Sequence, residues 1–211
     1  MVTEEKAEYI FEKLKEMHPD ARCELIYKTP YELLVAVILS AQCTDKRVNV
    51  ATEKLFADFD TPEKIAALGE DKLKPYIYSC GFYNGKAHNI VSMSKELVGK
   101  YGGEVPVDFD KLTALPGVGR KTASVVLSVA FGIPAMPVDT HVFRVSKRLK
   151  LSDGGTVGKV EEDLRGLFDK KDWNKLHHSL IFHGRYICHS RNPNCAVCLL
   201  KGVCGYAAKN K

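Results

Sequence analysis

Apolar residues recur every three or four positions through most of the chain, a spacing that predicts an almost entirely helical protein. Thr3 is placed to cap a first helix that carries Ala7, Ile10, Phe11 and Leu14 on one side and stops before Pro19. From Tyr31 to Ser40 the chain is apolar nearly all round, as a core helix is; a buried strand is the competing assignment. Asp45 opens the next helix, to about Phe56, and is expected to cap it, a structural role in preference to a catalytic one; Thr61-Pro62 marks another start with Gly69 past its end. A longer helix is expected from Gly85 to Gly99, with Ala87, Ile90, Val91, Ser94, Leu97 and Val98 facing inward. Asp108 caps a short helix through Ala114, and a helix of small and aliphatic residues follows from Lys121 to about Phe131. Beyond the crossover at Pro134 and Pro137, helices are expected at Thr140–Leu149, Val157–Phe168 and Trp173–Ile187.

The resulting fold class is all-α. It divides into a helical bundle at 22–132 and a second lobe at 133–211, which the N-terminal helix within 1–21 is expected to complete. There is no internal repeat, low-complexity tract or long linker. The longest strongly apolar run, Leu33 to Leu39, is far short of the roughly 20 residues that a bilayer-spanning helix needs. Charged residues also interrupt the N-terminal segment from Glu4 onward, against a secretory signal, so the expected location is cytoplasmic and no membrane partner is expected.

The net charge of +5 is unevenly spread: residues 170–211 hold eight Lys or Arg against one acidic residue. A basic C-terminal region on a near-neutral body suits a polyanion, nucleic acid among them, though a solvated surface has the same composition.

Leu115-Pro116-Gly117-Val118-Gly119-Arg120 joins two helical patterns by a tight turn. The glycines allow conformations closed to other residues and uncover backbone N–H groups, which with the following helix N-terminus suit a phosphate oxygen. Val118 is expected to turn inward or pack at the tip. No strand precedes the loop and no Gly-Lys-Ser/Thr ends it, which excludes a nucleotide-binding P-loop.

Of seven cysteines, Cys23, Cys43 and Cys80 are scattered, but Cys188, Cys195, Cys198 and Cys204 fall within seventeen residues. Four thiols so close in a reducing compartment point to a metal centre, either zinc or an iron–sulfur cluster. Spacing alone slightly favours zinc, the commoner structural ion. Lys121 lies in a first helical turn, where a cation opposes the macrodipole, and partial burial would lower its pKa; a plain surface lysine is the bland alternative. Asp139 and Thr140 precede an apolar helix that either could cap.

Taken together, Leu115 to Ala123, Val138-Asp139-Thr140-His141 and the four terminal cysteines resemble the endonuclease III family of helix-hairpin-helix DNA glycosylases. The resemblance covers essentially the whole chain and implies a bifunctional enzyme: removal of oxidised or ring-saturated pyrimidines flipped from double-stranded DNA, then strand cleavage at the abasic site. It implies Lys121 as the nucleophile and Asp139 as the essential carboxylate. The lysine favours this branch over adenine-mismatch glycosylases, which act mainly by activating water. Further alternatives are a thymine-mismatch glycosylase, a non-catalytic helical DNA-binding module and a zinc-stabilised interaction module.

The resemblance also replaces zinc with one [4Fe-4S] cluster on Cys188, Cys195, Cys198 and Cys204, with no catalytic metal. The cluster loop would present Arg191 and nearby Lys201 to phosphates, beside the contacts of Gly117, Val118, Gly119 and Arg120. Gln42 and Phe82 match residues that fill the gap left by a flipped base, although Phe82 stands where an aliphatic side chain is usual, and His141 matches a histidine near the site. Without the resemblance, Gln42 reads as a helix-end polar residue, Phe82 as core and His141 as a cap or core residue. A single lesion needs a single active site, so a monomer is expected.

Overall fold

The computed structural model describes residues 2–209 of the chain, and among them regular structure is helical throughout. The helices are α1 (Glu4–Met17), α2 (Pro30–Ser40), α3 (Asp45–Asp58), α4 (Pro62–Leu68), α5 (Glu70–Ile77), α6 (Tyr83–Tyr101), α7 (Phe109–Thr113), α8 (Arg120–Phe131), α9 (Thr140–Leu149), α10 (Val157–Leu167), α11 (Trp173–Tyr186) and α12 (Gly205–Lys209). Side-chain oxygens set many of the starts. Thr3, Thr29, Thr44, Thr61 and Thr156 cap α1, α2, α3, α4 and α10, and Asp108 and Asp139 cap α7 and α9. Each such cap contributes about 1 kcal/mol.

The chain forms two units. One comprises Glu24–Ile133 and is built around α2, whose residues from Tyr31 to Leu39 are all buried. Burial on every side explains why this helix shows no polar face. α3, α6 and α8 pack around it, and α6 in turn packs against α4 and α5. The strand alternative for 31–40 is therefore excluded.

The other unit combines the residues up to Cys23 with those from Pro134 onward. Its core joins Ile10, Phe11 and Leu14 of α1 to Val142, Val145 and Leu149 of α9, Leu164 of α10, and Leu176 and Leu180 of α11. The N-terminal helix thus packs with the C-terminal ones: the apolar stripe of α1 is covered by helices more than a hundred residues away in sequence. No helix among the described residues is long and apolar enough to cross a membrane.

Several local expectations are corrected. The cap of α3 is Thr44, whose extended backbone lets its hydroxyl accept from Arg47 N; Asp45 is the first helical residue. Val98 is 38% exposed. One residue on from buried Leu97, it is turned about 100° away from the inward stripe. α5 was hidden by Pro75, which lies inside the helix and reads as a breaker, and α12 is only five residues long.

Leu34 is fully buried, so Leu34→Ala should destabilise the protein by about 2–5 kcal/mol. Val98→Ala should change stability by about 0.5 kcal/mol or less. Denaturant midpoints followed by helical circular dichroism check both, and equal effects would contradict the packing described.

Candidate DNA-repair site and metal centre

The turn between α7 and α8 forms a hairpin held by a bond from Val118 N to the carbonyl of Leu115 at 3.1 Å. Val118 is buried at the tip, as a residue anchoring the turn from within should be. Gly117 adopts φ +76°, and a Cβ there would lie 2.7 Å from Cβ of Asn89, so both conformation and space call for glycine. Gly119 precedes α8 without any side-chain cap. The first turn therefore presents backbone N–H groups and the positive end of the helix, features suited to an anion. Arg120 is held over the ring of Phe109, 4.9 Å from its centroid, and tethers the start of α8 to α7. Lys121 follows in the same turn and is solvent-exposed. The partial burial considered from the sequence does not occur at this residue.

Asp139 is largely buried, with its side chain 14% exposed. Its Oδ1 accepts the amides of His141 and Val142, both at 2.8 Å, and Oδ2 lies 3.1 Å from Nδ1 of His141. Helix α9 starts at this carboxylate, so the choice between Asp139 and Thr140 as cap resolves to Asp139. The same geometry also fixes a negative charge at the positive end of a helix, where it is stabilised.

Gln42 and Phe82 both occupy connections between helices and both take left-handed backbone conformations, φ +53° and +48°. Gln42 is exposed, and Phe82 is 74% exposed. The core reading of Phe82 is corrected: an aromatic ring is displayed to solvent on a strained backbone, an arrangement that makes no sense for packing alone.

Cys188, Cys195, Cys198 and Cys204 are all free thiols, and all four line one pocket, together with Leu149, His183 and Tyr206. Among the described residues no three His, Cys, Asp or Glu side chains converge on a single ion position. Four thiols lining one pocket fit a thiolate-ligated metal centre. Burial pushes the Cys198 thiol up, and the neighbouring thiols add to the shift. Such a site favours a positive group that would hold its thiolates ionised.

The sequence reading missed what surrounds these thiols. Arg148 donates to the Cys188 sulfur at 3.2 Å and to the carbonyls of His189 at 2.7 Å and Ser190 at 3.0 Å, while its guanidinium stacks on Tyr206. Arg144, one turn earlier on α9, donates to the carbonyls of Cys188 and Gly184. The spacing of four between two arginines was the available signal, but it reads equally as a solvated helix face. His183 lies 3.7 Å from the Cys198 sulfur through Nε2 and 3.2 Å from His18 through Nδ1. Burial, with His18 adding, holds its imidazole down at about 4, so it is neutral at physiological pH. Arg191 and Lys201 are exposed on the segments that carry the cysteines.

A helix-hairpin-helix, a helix-capping aspartate and a four-cysteine pocket define a class, and residues 35–170 match the family model described as HhH-GPD superfamily base excision DNA repair protein. The chain is 54% identical to an Endonuclease III of Rickettsia conorii over 93% of its own length and 94% of that relative. It is 49% identical to an Endonuclease III of Bacillus subtilis, covering 97% of this chain and 94% of the relative. A solved structure described as a trapped Endonuclease III–DNA covalent intermediate superposes with a TM-score of 0.95 at 47% identity, covering 100% of this chain and 99% of that one. Within the superfamily, the chain belongs to the endonuclease III family.

Removing the Arg148 side chain should loosen the segment holding Cys188. In Arg148→Ala, the visible absorbance of the bound cluster should be lost faster on exposure to oxygen or chelator than in the parent protein. Identical loss rates would contradict the bracing role.

Proposed function

We propose that Lys121 is the nucleophile and Asp139 the essential carboxylate of a bifunctional DNA glycosylase and abasic-site lyase acting on double-stranded DNA. The glycosylase and lyase activity itself follows from family membership and from close relatives matched along more than nine-tenths of their length. The observation that carries the residue assignment is the position of Lys121: exposed, in the first turn of α8, immediately after the hairpin. A protein trapped covalently on DNA, as the similar solved structure is described, needs an attacking group, and an accessible amine beside a phosphate-binding turn supplies one.

Cleavage of the base–sugar bond develops positive charge on the deoxyribose, and the fixed carboxylate of Asp139 would stabilise it. The amine of Lys121, once it has given up a proton, attacks C1′ as the base leaves with the bonding pair and takes up a proton; the attached nitrogen loses a proton, and ring opening with protonation of O4′ gives an imine, protonated at nitrogen. That imine acidifies the C2′ hydrogens, so removal of one expels the 3′ phosphate and nicks the strand. His141, beside the Asp139 carboxylate, orients it. Gly117, Val118, Gly119 and Arg120 are assigned to phosphate binding at the hairpin, Arg191 and Lys201 to phosphates near the cysteine segment, and Gln42 and Phe82 to filling the gap left by the flipped base.

Members of this family carry a [4Fe-4S] cluster without a catalytic metal. Cys188, Cys195, Cys198 and Cys204 are the proposed ligands, and their shared cavity supports the assignment. When bound, the cluster contributes ligation that fastens the cysteine segment. Oxidised and ring-saturated pyrimidines are the proposed lesions, and a cytoplasmic location is proposed with them.

Borohydride trapping on a duplex with a ring-saturated pyrimidine tests the central assignment. Lys121→Ala should abolish the covalent adduct, whereas duplex binding should change by about tenfold or less, since only one cation among several is removed. An undiminished adduct would remove Lys121 from the mechanism.

A further inference from the structure

Lys86 is the one lysine among the described residues that is buried, at 7% exposure, and no carboxylate accounts for it. Its ammonium donates three hydrogen bonds, all to backbone carbonyls: Leu39 at 2.8 Å, Ala41 at 2.8 Å and Cys80 at 2.7 Å. A burial of this kind is costly, and burial does lower the pKa of the amine; the three acceptors are what make the site tolerable. The partners come from two separate stretches of chain. Leu39 and Ala41 form the C-terminal end of α2, a helix with no basic residue in its own last turn, and Cys80 ends the turn that precedes α6. Lys86 itself lies on α6, so one ammonium bridges two connections that lie far apart in sequence, at Ala41 and at Cys80.

Each of those connections continues directly into a residue with left-handed backbone. Gln42 follows Ala41, and Phe82 follows Cys80 and Gly81. Neither residue favours that conformation, so each must be held by its surroundings. The bonds to Ala41 and Cys80 act within two residues of the strained positions, and a single cation at the carboxyl end of α2 also offsets that helix's dipole.

We infer that Lys86 is a positioning residue: by clamping the carbonyls of Leu39, Ala41 and Cys80 it sets the mutual register of Gln42 and Phe82, so that both enter the gap left by a flipped nucleotide as one preformed wedge. This rests on the gap-filling assignment of Gln42 and Phe82 made above. Lys86 touches neither DNA nor the reacting atoms in this scheme; it acts through the two loops. The three bonds leave the amine no role as an alternative nucleophile, because each of its N–H directions is already occupied.

The test uses the intact protein and an uncleavable duplex in which a tetrahydrofuran abasic analogue faces 2-aminopurine. Wild type at saturation should raise the 2-aminopurine fluorescence as the wedge disturbs its stacking, and Gln42→Ala and Phe82→Ala should each diminish that rise. Lys86→Met keeps the length of the side chain and removes the donors. It should lose most of the rise while retaining the parent helix content, and base release from a lesion duplex should fall about 10- to 100-fold, mainly in kcat, as expected for misplacement. Lys86→Arg, which keeps charge and donors, should recover part of both readouts. If Lys86→Met does not fold, Lys86→Gln is measured in its place, since its shorter amide cannot span all three carbonyls.

A folded Lys86 variant without the three donors that gives the full fluorescence rise, while Gln42→Ala and Phe82→Ala do not, overturns the clamp and leaves the wedge standing. Full signal from Gln42→Ala and Phe82→Ala overturns the wedge, and the clamp's purpose with it. Loss of signal in Lys86→Met with no recovery in Lys86→Arg also counts against the clamp, because loosened packing alone then accounts for the effect.

Discussion

Two hydrogen bonds of 2.8 Å from the first turn of α9 to the Asp139 carboxylate determine much of what this unit can do. They start the helix, and they prevent the carboxylate from turning away. The buried stripe of α9, Val142, Val145 and Leu149, then locks the helix against α1, α10 and α11, so the carboxylate is anchored to a core and not to a loop. Along the same helix, Arg144 and Arg148 reach the backbone and sulfur of Cys188 and the carbonyls beyond it. One rigid rod thus carries the acidic group at one end and braces the cysteine segment at the other. Disturbing the cysteine pocket should therefore be felt as loosened support for α9 before it is felt as altered chemistry.

The unit formed by Glu24–Ile133 solves a different problem, display of strained or exposed groups on a stable base. α2 is sealed on all sides, and the features assigned to DNA lie on connections around it and its neighbours: Gln42, Phe82 and the hairpin at 115–120. Gly117 meets Asn89 of α6 so closely that the hairpin is seated directly on the helix that also supplies Lys86. In this unit Gln42 and Phe82 carry strained backbone at positive φ, whereas Gly117 takes its positive φ without that cost.

Much of this was legible in the residues because it depends on local rules. Periodicity located the long helices, threonine and aspartate caps marked their starts, and the cysteine spacing marked the metal centre. What escaped notice depends on tertiary partners. Phe82 looks like core because a phenylalanine usually is; only the fold shows its ring facing solvent. Lys86 looks like any surface lysine, since its three acceptors are carbonyls from distant stretches that no side-chain pattern announces. Arg148 likewise gains its role only when Cys188, His189 and Ser190 are folded onto it. α5 was obscured because Pro75 breaks the rule by which helices are usually bounded.

Asp139 caps α9 and is assigned a catalytic role, and a single substitution separates the two. Asparagine caps a helix about as well as aspartate, so Asp139→Asn should leave stability within about 1 kcal/mol of the parent and α9 intact. It removes the charge proposed to stabilise a developing sugar cation, and base release from a lesion duplex should fall by about 100- to 1,000-fold or more. A preformed abasic site does not require base release, so nicking by Lys121 should survive there in part. Measuring base release and abasic nicking side by side in folded Asp139→Asn is the most direct examination of the assigned chemistry. Loss of the first with persistence of the second is the expected result, and parental base release from this variant would show that Asp139 is only the cap of α9.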